Sequence, residues 1–141
     1  MGNCVFCEII SKKIPSSIVY EDEQIVVFMD NFPINPGHVL IASKEHYSNI
    51  AETPTEVLSN LMQMVFTVES ALWRSGIACE GTNILHSNGE AAGQDVFHTH
   101  FHVVPRYSDD GFEIAYGTKA RNRDELDKAA KMITNSLAQF K

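Results

Sequence analysis

Three of the six histidines fall within one five-residue segment, His98-Thr99-His100-Phe101-His102. Residues 98–104 are predicted to form a strand that Pro105 ends, and residues two apart in a strand share a face. The three imidazoles should therefore point the same way. Because burying several imidazoles together is costly unless each finds a hydrogen-bond partner, packing alone does not explain them. The spacing predicts a chemical site on one face of this strand.

Two kinds of chemistry suit this arrangement of imidazoles. Alternating histidines can ligate a catalytic metal, and a neutral imidazole can attack phosphorus and form a covalent intermediate. The preceding segment, Asn88-Gly89-Glu90-Ala91-Ala92-Gly93-Gln94-Asp95, has the character of a phosphate loop, because glycine lets backbone N–H groups approach an anion and Gln94 could hydrogen-bond a leaving oxygen. A metal-dependent hydrolase should show more acidic ligands than Asp95. The residues favour a nucleophilic histidine, with a metal hydrolase and a nucleotide-binding module as alternatives.

Short β-rich runs predict four more strands around the histidines. These runs cover residues 18–20, 24–29, 38–42 and 82–86, and acidic turn residues separate the first two as in a hairpin. A loop rich in Pro, Gly and Asn fills residues 31–37. This loop should leave His38 at the mouth of its strand.

Two helices are also predicted. The segment Thr53-Pro54-Thr55-Glu56 offers a capping residue, a proline for the first helical position and an acid for the first turn. Apolar residues then recur at three- and four-residue spacings from Val57 to Leu72, and Gly76 follows as a stop, which predicts a long core helix. Residues 123–140 predict a terminal helix with an apolar stripe at Leu126, Ala130, Ile133 and Leu137.

The pair Cys4 and Cys7 is a second candidate for chemistry. The chain has three cysteines, an odd number that argues against a disulfide framework. A redox Cys-x-x-Cys pair is expected at the start of a helix that follows a strand, whereas this pair precedes any predicted strand. The pair is therefore interpreted as metal-binding, and Cys79 as an ordinary cysteine.

Composition limits the class of partner. A chain of 141 residues with 44% hydrophobic and 21% charged residues is expected to form one domain spanning residues 1–141. Its net charge of -7 argues against a nucleic-acid partner, although a few N–H groups and imidazoles can still bind a small phosphate. No apolar run of ~18 residues and no charged leader is visible, so we expect no membrane association and a cytoplasmic location.

These motifs together resemble the histidine-triad family. The segment His98-Thr99-His100-Phe101-His102-Val103-Val104 is similar to its His-φ-His-φ-His-φ-φ signature, with Thr99 as a departure from an apolar φ. Further similarity lies in residues 4–10, Ile14-Pro15, Asp30, Pro36-Gly37-His38 and residues 88–94, so that the resemblance covers most of residues 4–107. It implies an α+β domain with a five-stranded antiparallel sheet, one long helix and a C-terminal helical extension over residues 108–141. It also implies a homodimer paired across strands and the long helix.

The resemblance implies a function as well. It points to a nucleotide hydrolase acting at the α-phosphate of purine nucleoside phosphoramidates through a nucleotidyl-histidine. A dinucleoside polyphosphate hydrolase and a nucleotide-binding protein with little turnover are the alternatives. Because the nucleophile must be neutral and an ordinary histidine pKa is about 6.5, kcat/KM should fall as pH drops below that region.

Roles are carried over by position. His100 would be the nucleophile, with His102 and the backbone from Gly93 to Asp95 holding the non-bridging oxygens. Asn88 and Gln94 would orient the phosphate and leaving group, and His38 would be a fourth histidine near the triad. Asp30 would bind the ribose hydroxyls and Asn31 would lie in the same nucleotide site. Asp95 stands where many phosphoramidase relatives carry Ser or Thr, which leaves the leaving-group preference open.

A metal-bearing subset of the family is similar at the cysteine pair. By that resemblance the ligands would be Cys4, Cys7, His46 and His98. Two thiolates and two imidazoles suit tetrahedral zinc with no open position, which implies a structural ion. The chemistry would then fall to His100 and His102, with no organic cofactor.

Overall fold

The computed structural model describes residues 3–139. In chain order the elements are α1 (Val5–Ile10), β1 (Ile18–Glu21), β2 (Ile25–Met29), β3 (Val39–Ser43), α2 (Thr55–Arg74), β4 (Gly81–Leu85), β5 (His100–Arg106) and α3 (Arg123–Leu137). Single turns of 3₁₀ helix occur at Ile50–Glu52 and Glu90–Ala92. The chain divides into two compact units, Met1–Gly111 and Phe112–Lys141.

The first unit contains a five-stranded antiparallel sheet in the order β1-β2-β3-β5-β4. This confirms the α+β class and the predicted sheet. In the central pair, Leu40 lies opposite His102 and Ala42 opposite His100. Residues directly opposite each other in an antiparallel pair share a face. Both histidines therefore lie on the same face as Leu40 and Ala42.

Helix α2 covers the other face of the sheet. Its buried residues recur every three or four positions, so they form one apolar stripe that packs against Val27, Ile41, Phe101 and Val103. The stripe consists of Val57, Leu61, Val65, Val68 and Leu72. The predicted core helix is confirmed, but Pro54 is its N-cap and not its first helical residue. The Thr53 hydroxyl instead lies 2.8 Å from the hydroxyl of Thr99.

Helix α1, which the sequence analysis did not predict, covers the histidine-bearing face. Phe6 and Ile9 pack there against Val26, Phe28 and Leu40. The helix begins at the cysteine pair, where the backbone N–H of Cys7 donates to Sγ of Cys4, its N-cap residue, at 3.5 Å. The pair does precede the first strand, as expected, but it also starts a helix. A six-residue helix is too short to produce a visible apolar period.

Strand β5 begins two residues later than predicted and continues through Pro105. His98 lies outside the strand, and the N–H of Thr99 donates to the carbonyl of Tyr47 at 2.8 Å. Pro105 is tolerated because the pairing of β3 with β5 ends at Val103, so that only β4 flanks the strand at the proline. Its carbonyl accepts a hydrogen bond from the Asn35 side chain at 2.9 Å.

The second unit contains α3. Asn122 caps this helix by accepting a hydrogen bond from the N–H of Asp124 at 2.7 Å. The helix ends at Leu137, and Phe140, which the prediction included, lies outside the described residues. The apolar stripe is present but exposed at Leu126, Ile133 and Leu137. In residues 3–139, none of the helices has the length and apolar character needed to cross a bilayer.

Candidate active site and metal centre

A cleft of about 320 Å³ opens between α1 and the histidine-bearing face of the sheet. One part of its wall is apolar, with Phe6, Ile9, Phe28 and Leu40. The other part carries the polar residues Asp30, Asn31, Asp95, His100 and His102. Ligand sites of this size combine apolar walls with a few placed polar groups. The cleft therefore brings together five of the predicted site residues.

His100 is buried in this cleft as a neutral imidazole. Its Nδ1 lies 2.5 Å from the carbonyl oxygen of His98, and since a carbonyl can only accept, Nδ1 carries the proton and Nε2 keeps its lone pair. The ring of Phe6 packs edge-on against it with centroids 4.8 Å apart. Burial lowers the pKa of His100 to about 4. The predicted fall in activity near pH 6.5 is therefore moved to lower pH.

His102 is held in the opposite tautomer by a chain of hydrogen bonds. The N–H of Ile34 donates to Nδ1 of His38 at 3.0 Å, which leaves the proton of His38 on Nε2. That Nε2 lies 2.9 Å from Nδ1 of His102 and donates to it. Burial lowers the pKa of both imidazoles, so that both are neutral near pH 7. His102 thus carries its own proton on Nε2, as a donor for an anionic ligand.

Asp30, His38 and His102 form a group whose ligand atoms lie within 4.8 Å of one another. The hydrogen bonds argue against a metal there. A metal on Nε2 of His38 would require Nδ1 to carry the proton, facing the N–H of Ile34. The carboxylate of Asp30 instead lies 3.4 Å from Nε2 of His38. These three residues are assigned to hydrogen bonding, with Asp30 and His102 in the cleft and His38 buried behind them.

The cluster of Cys4, Cys7, His46 and His98 has the opposite hydrogen-bond arrangement. Nε2 of His98 donates to the carbonyl of Ser43 at 2.6 Å, so the lone pair on Nδ1 faces the two sulfurs. That Nδ1 lies 3.4 Å from Sγ of Cys4, and Sγ of Cys7 lies 3.4 Å from Nδ1 of His46. All four ligand atoms fall within 4.8 Å of one another. The four predicted ligands are brought together in a group that could hold a metal ion.

The Cys7 thiol needs a cation beside it to be deprotonated near pH 7. Burial, followed by the hydrogen bond with Cys4, raises the pKa of this thiol to about 11. A nearby divalent cation reverses this effect and keeps coordinating thiols deprotonated. Two sulfur and two nitrogen donors match tetrahedral zinc. The donor set therefore fits the expected ion.

The phosphate-loop candidates are placed differently. The Gln94 side chain is buried, accepting from the N–H of Gly89 at 2.8 Å and donating to the carbonyl of Ser48 at 2.9 Å. Asn88 accepts from the N–H of Ile50 at 3.0 Å. Gly93 has φ of +89°, and its N–H donates to the carbonyl of Glu90. Both amide side chains brace the loop, and their role toward a phosphate stays a prediction.

His86 is a site neighbour that the sequence analysis did not single out. Its Nδ1 donates to the carbonyl oxygen of His100 at 2.9 Å, and its ring packs at a tilt against Phe101 with centroids 4.7 Å apart. It follows directly after Leu85, the last residue of β4 to pair with β5. A histidine at the end of a strand carries no distinguishing pattern in the sequence. Its contact with the backbone of His100 appears only when the strands pair.

Comparison with known proteins gives one consistent family. A profile described as HIT domain matches residues 11–109. An uncharacterized HIT-like protein of Methanocaldococcus jannaschii is 42% identical over 130 residues, which is 92% of this chain and 98% of that protein. Adenylylsulfatase HINT3 of Arabidopsis thaliana is 35% identical over 134 residues, which is 95% of this chain and 67% of that protein.

Solved structures agree. A HIT family protein from Bacillus subtilis is similar at a TM-score of 0.86 and 38% identity, covering 94% of this chain and 96% of that one. A histidine triad nucleotide-binding protein from Candida albicans is similar at a TM-score of 0.86 and 31% identity, covering 99% of this chain and 100% of that one. A zinc-bound histidine triad family protein from Mycobacterium smegmatis is similar at a TM-score of 0.75 and 31% identity, covering 99% of each chain.

Proposed function

The chain belongs to the HIT domain family, and we propose from this that it hydrolyses purine nucleoside phosphoramidates at the α-phosphate through a nucleotidyl-histidine on His100. One observation carries the proposal. His100 is buried and neutral, its Nδ1 proton is held by the carbonyl of His98, and its Nε2 lone pair is left for attack. Arabidopsis HINT3, named as an adenylylsulfatase, supports an adenylyl group as the part of the substrate that is transferred.

The cleft suits a nucleoside 5′-phosphate. Its apolar wall of Phe6, Ile9, Phe28 and Leu40 can bury a purine ring, whose binding draws on the same area effect as any apolar surface. Asp30, beside the apolar wall, is proposed to accept hydrogen bonds from the ribose hydroxyls, with Asn31 next to it. This placement would set the α-phosphate against His100 and His102.

In the first step, Nε2 of His100 attacks the α-phosphorus. A phosphorus–nitrogen bond forms to the imidazole, and the bond to the leaving group breaks with its electron pair going to that group. The Nε2–H of His102 donates to a non-bridging oxygen, where charge develops in the transition state. His38 keeps this proton on Nε2 of His102 by donating to Nδ1. The tautomer and position of the His102 ring are thus set before the substrate binds.

In the second step, one water molecule attacks the same phosphorus. The bond to His100 breaks and its electron pair returns to Nε2. Over both steps the water supplies hydroxyl to the nucleotide and a proton to the leaving group. The products are a nucleoside monophosphate and an amine, and the enzyme returns to its starting tautomers.

Zinc is proposed to bind at Cys4, Cys7, His46 and His98, where it would supply positive charge that holds the thiolates and links α1 to the residues before β5. The zinc-bound relative from Mycobacterium smegmatis supports the choice of metal. His98 contributes its backbone carbonyl to His100 and its side chain to this cluster. The cluster therefore acts on the reaction by positioning the nucleophile.

A dinucleoside polyphosphate hydrolase is the second candidate, because it would place the same α-phosphate against His100 and differ only in what leaves. A nucleotide-binding protein with little turnover is the third, and the nucleotide-binding relative from Candida albicans speaks for it. A neutral nucleophile beside a hydrogen-bond donor has no use in a protein that only binds. The hydrolase is therefore preferred.

The test is turnover of an adenosine phosphoramidate against diadenosine tri- and tetraphosphate, with kcat/KM measured as a function of pH. The phosphoramidate is expected to be the better substrate. Its kcat/KM should keep most of its pH 7 value at pH 5.5, because the lowered pKa of His100, about 4, leaves the ring neutral there. An imidazole with the ordinary pKa would be only about one-tenth neutral at that pH. An acid limb near 6.5, or no release of nucleotide, contradicts the proposal.

We also propose that the chain forms a homodimer. Met62, Phe66 and Trp73 are exposed on α2, with Phe66 exposed to 71%. A group of large apolar side chains on one helix is typical of an association surface. Light scattering at micromolar concentration should give twice the mass of 15.7 kDa, and Phe66→Asp should shift the protein toward the monomer. A fully active wild-type monomer contradicts the dimer.

A further inference from the structure

A second cavity, of about 340 Å³, adjoins the nucleotide cleft. Val5, Asp95 and Val96 line both spaces and so form their shared wall. The rest of its lining consists of Asn3, Ser48 and Phe97, together with Cys4 and His46 of the candidate metal cluster. The purine wall belongs to the first cleft alone. The second space therefore lies next to the cleft that contains His100.

The chemistry of an in-line displacement requires such a space. The leaving group departs on the side of the phosphorus opposite to the attacking Nε2 of His100, and it must have room that the nucleoside does not occupy. The second cavity borders the cleft at Val5, Asp95 and Val96 and has the volume for such a group.

Asp95 gives the shared wall a negative charge. It is exposed, and it is the only aspartate or glutamate among the described residues that line the second cavity. No lysine or arginine belongs to the described lining of either space. Asp95 also lines the first cleft, together with His100 and His102. A leaving group in the second cavity therefore meets an unbalanced carboxylate.

We propose that the second cavity receives the leaving group and that Asp95 selects substrates whose leaving amine carries a further positive charge. The inference rests on the proposed phosphoramidate hydrolysis and names the class of its substrates: nucleoside phosphoramidates of diamines and other cationic amines. The phosphorus–nitrogen bond breaks with its electron pair on nitrogen, which takes one proton from solvent and leaves as the amine. Polyphosphate leaving groups, which are anionic, are disfavoured by the same carboxylate.

The experiment uses three adenosine phosphoramidates that differ only at the far end of a three-carbon amine. They are made from 1,3-diaminopropane, 3-aminopropanol and β-alanine, so that the distal group is positive, neutral or negative. Wild-type kcat/KM should fall about tenfold at each step of this series, the order expected for unit charges several ångströms apart in a partly solvated cleft. In Asp95→Asn the three kcat/KM values should lie within about threefold of one another, and in Asp95→Lys their order should be reversed.

Glu90→Gln is the matched control. It removes one negative charge from the same loop, and Glu90 is exposed and absent from the described lining of both cavities. This variant should keep the wild-type order, because the effect belongs to the position of Asp95 and not to net charge. A wild-type series as flat as that of Asp95→Asn overturns the inference. So does an equal compression in Glu90→Gln.

Binding affinities of the three compounds test this inference separately from the proposed hydrolysis. The three compounds are titrated calorimetrically into His100→Ala, which cannot form the covalent bond. Affinity should follow the distal charge in this background and lose that order when Asp95→Asn is added. If no compound is turned over by the wild type, the proposed hydrolysis is wrong, and the order of affinities still decides the subsite. Equal affinities for all three compounds overturn it.

Discussion

Replacing His100 with alanine should lower kcat by at least about a thousandfold while changing nucleotide affinity by less than about threefold. The bond to phosphorus has one nucleophile, Nε2 of His100, whose lone pair is exposed by the hydrogen bond from Nδ1 to the carbonyl of His98. Binding is spread over the apolar wall, Asp30 and His102. The alanine variant therefore lacks the group that forms the bond to phosphorus in the transition state, but it keeps most of the contacts that bind the nucleotide.

Two measurements check this expectation. Steady-state and single-turnover kinetics give the loss in kcat, and intact-protein mass spectrometry after acid quenching looks for a nucleotidyl adduct. His102→Ala serves as the comparison, because it removes one donor to the phosphate and not the nucleophile. It should lose on the order of 10²–10³-fold in rate and still form the adduct, which slower turnover makes easier to trap.

The opposite result is equally clear. A His100→Ala protein that keeps more than about one-tenth of the wild-type kcat has lost less than ~1.4 kcal/mol of transition-state stabilisation. His100 would then not be the nucleophile, and the metal-hydrolase alternative would return. The melting temperature of the variant is measured alongside, because the ring of Phe6 packs on His100 and loses a partner. A folded but inactive protein is the expected outcome.

The double variant Cys4→Ser/Cys7→Ser should lose its bound metal and melt at a temperature lower by about 10 °C or more. Two of four ligand atoms are removed, and neither serine oxygen replaces a thiolate for zinc. The loss of a structural ion removes several kcal/mol of folding free energy, and in a chain of this size each kcal/mol corresponds to roughly 2–4 °C. Because α1 also carries Phe6 and Ile9 into the cleft, KM should rise.

Metal analysis of protein purified without chelator decides this prediction, with thermal unfolding as the second readout. Cys79→Ser is the matched control, since Cys79 is a buried cysteine outside the cluster. It should keep about one equivalent of zinc whatever its own cost in packing. If the double variant and the wild type contain the same metal and melt together, the four residues do not form a metal site.

Much of the fold was predictable because it depends on local periodicity. The three- and four-residue spacing from Val57 to Leu72 requires one buried helix face, and that face packs on the sheet as expected. The two-residue spacing of His100 and His102 puts both rings on one face of β5. These inferences need only the geometry of a helix or a strand.

Other features escaped prediction for a physical reason. Helix α1 has only six residues, too few for a period, and it is stabilised by packing Phe6 and Ile9 against distant strands. The end of β5 at Arg106 depends on its pairing with Gly81, the first residue of β4. The contact of His86 with the backbone of His100 depends on the same pairing. Each of these outcomes is set by residues far away in the chain.

The sequence by itself determined that imidazoles would line one face of a strand and that two cysteines were candidate metal ligands. It also determined the resemblance to a family in which histidines and, in a subset, a cysteine pair have these roles. Only the tertiary structure decided what each imidazole does. Nδ1 of His98 turns to the sulfurs because Nε2 donates to Ser43, which lies 55 residues away. Nε2 of His102 becomes a donor because Ile34 fixes the tautomer of His38. A tautomer follows from the hydrogen-bond partner at each ring nitrogen, and those partners meet only when the chain has folded.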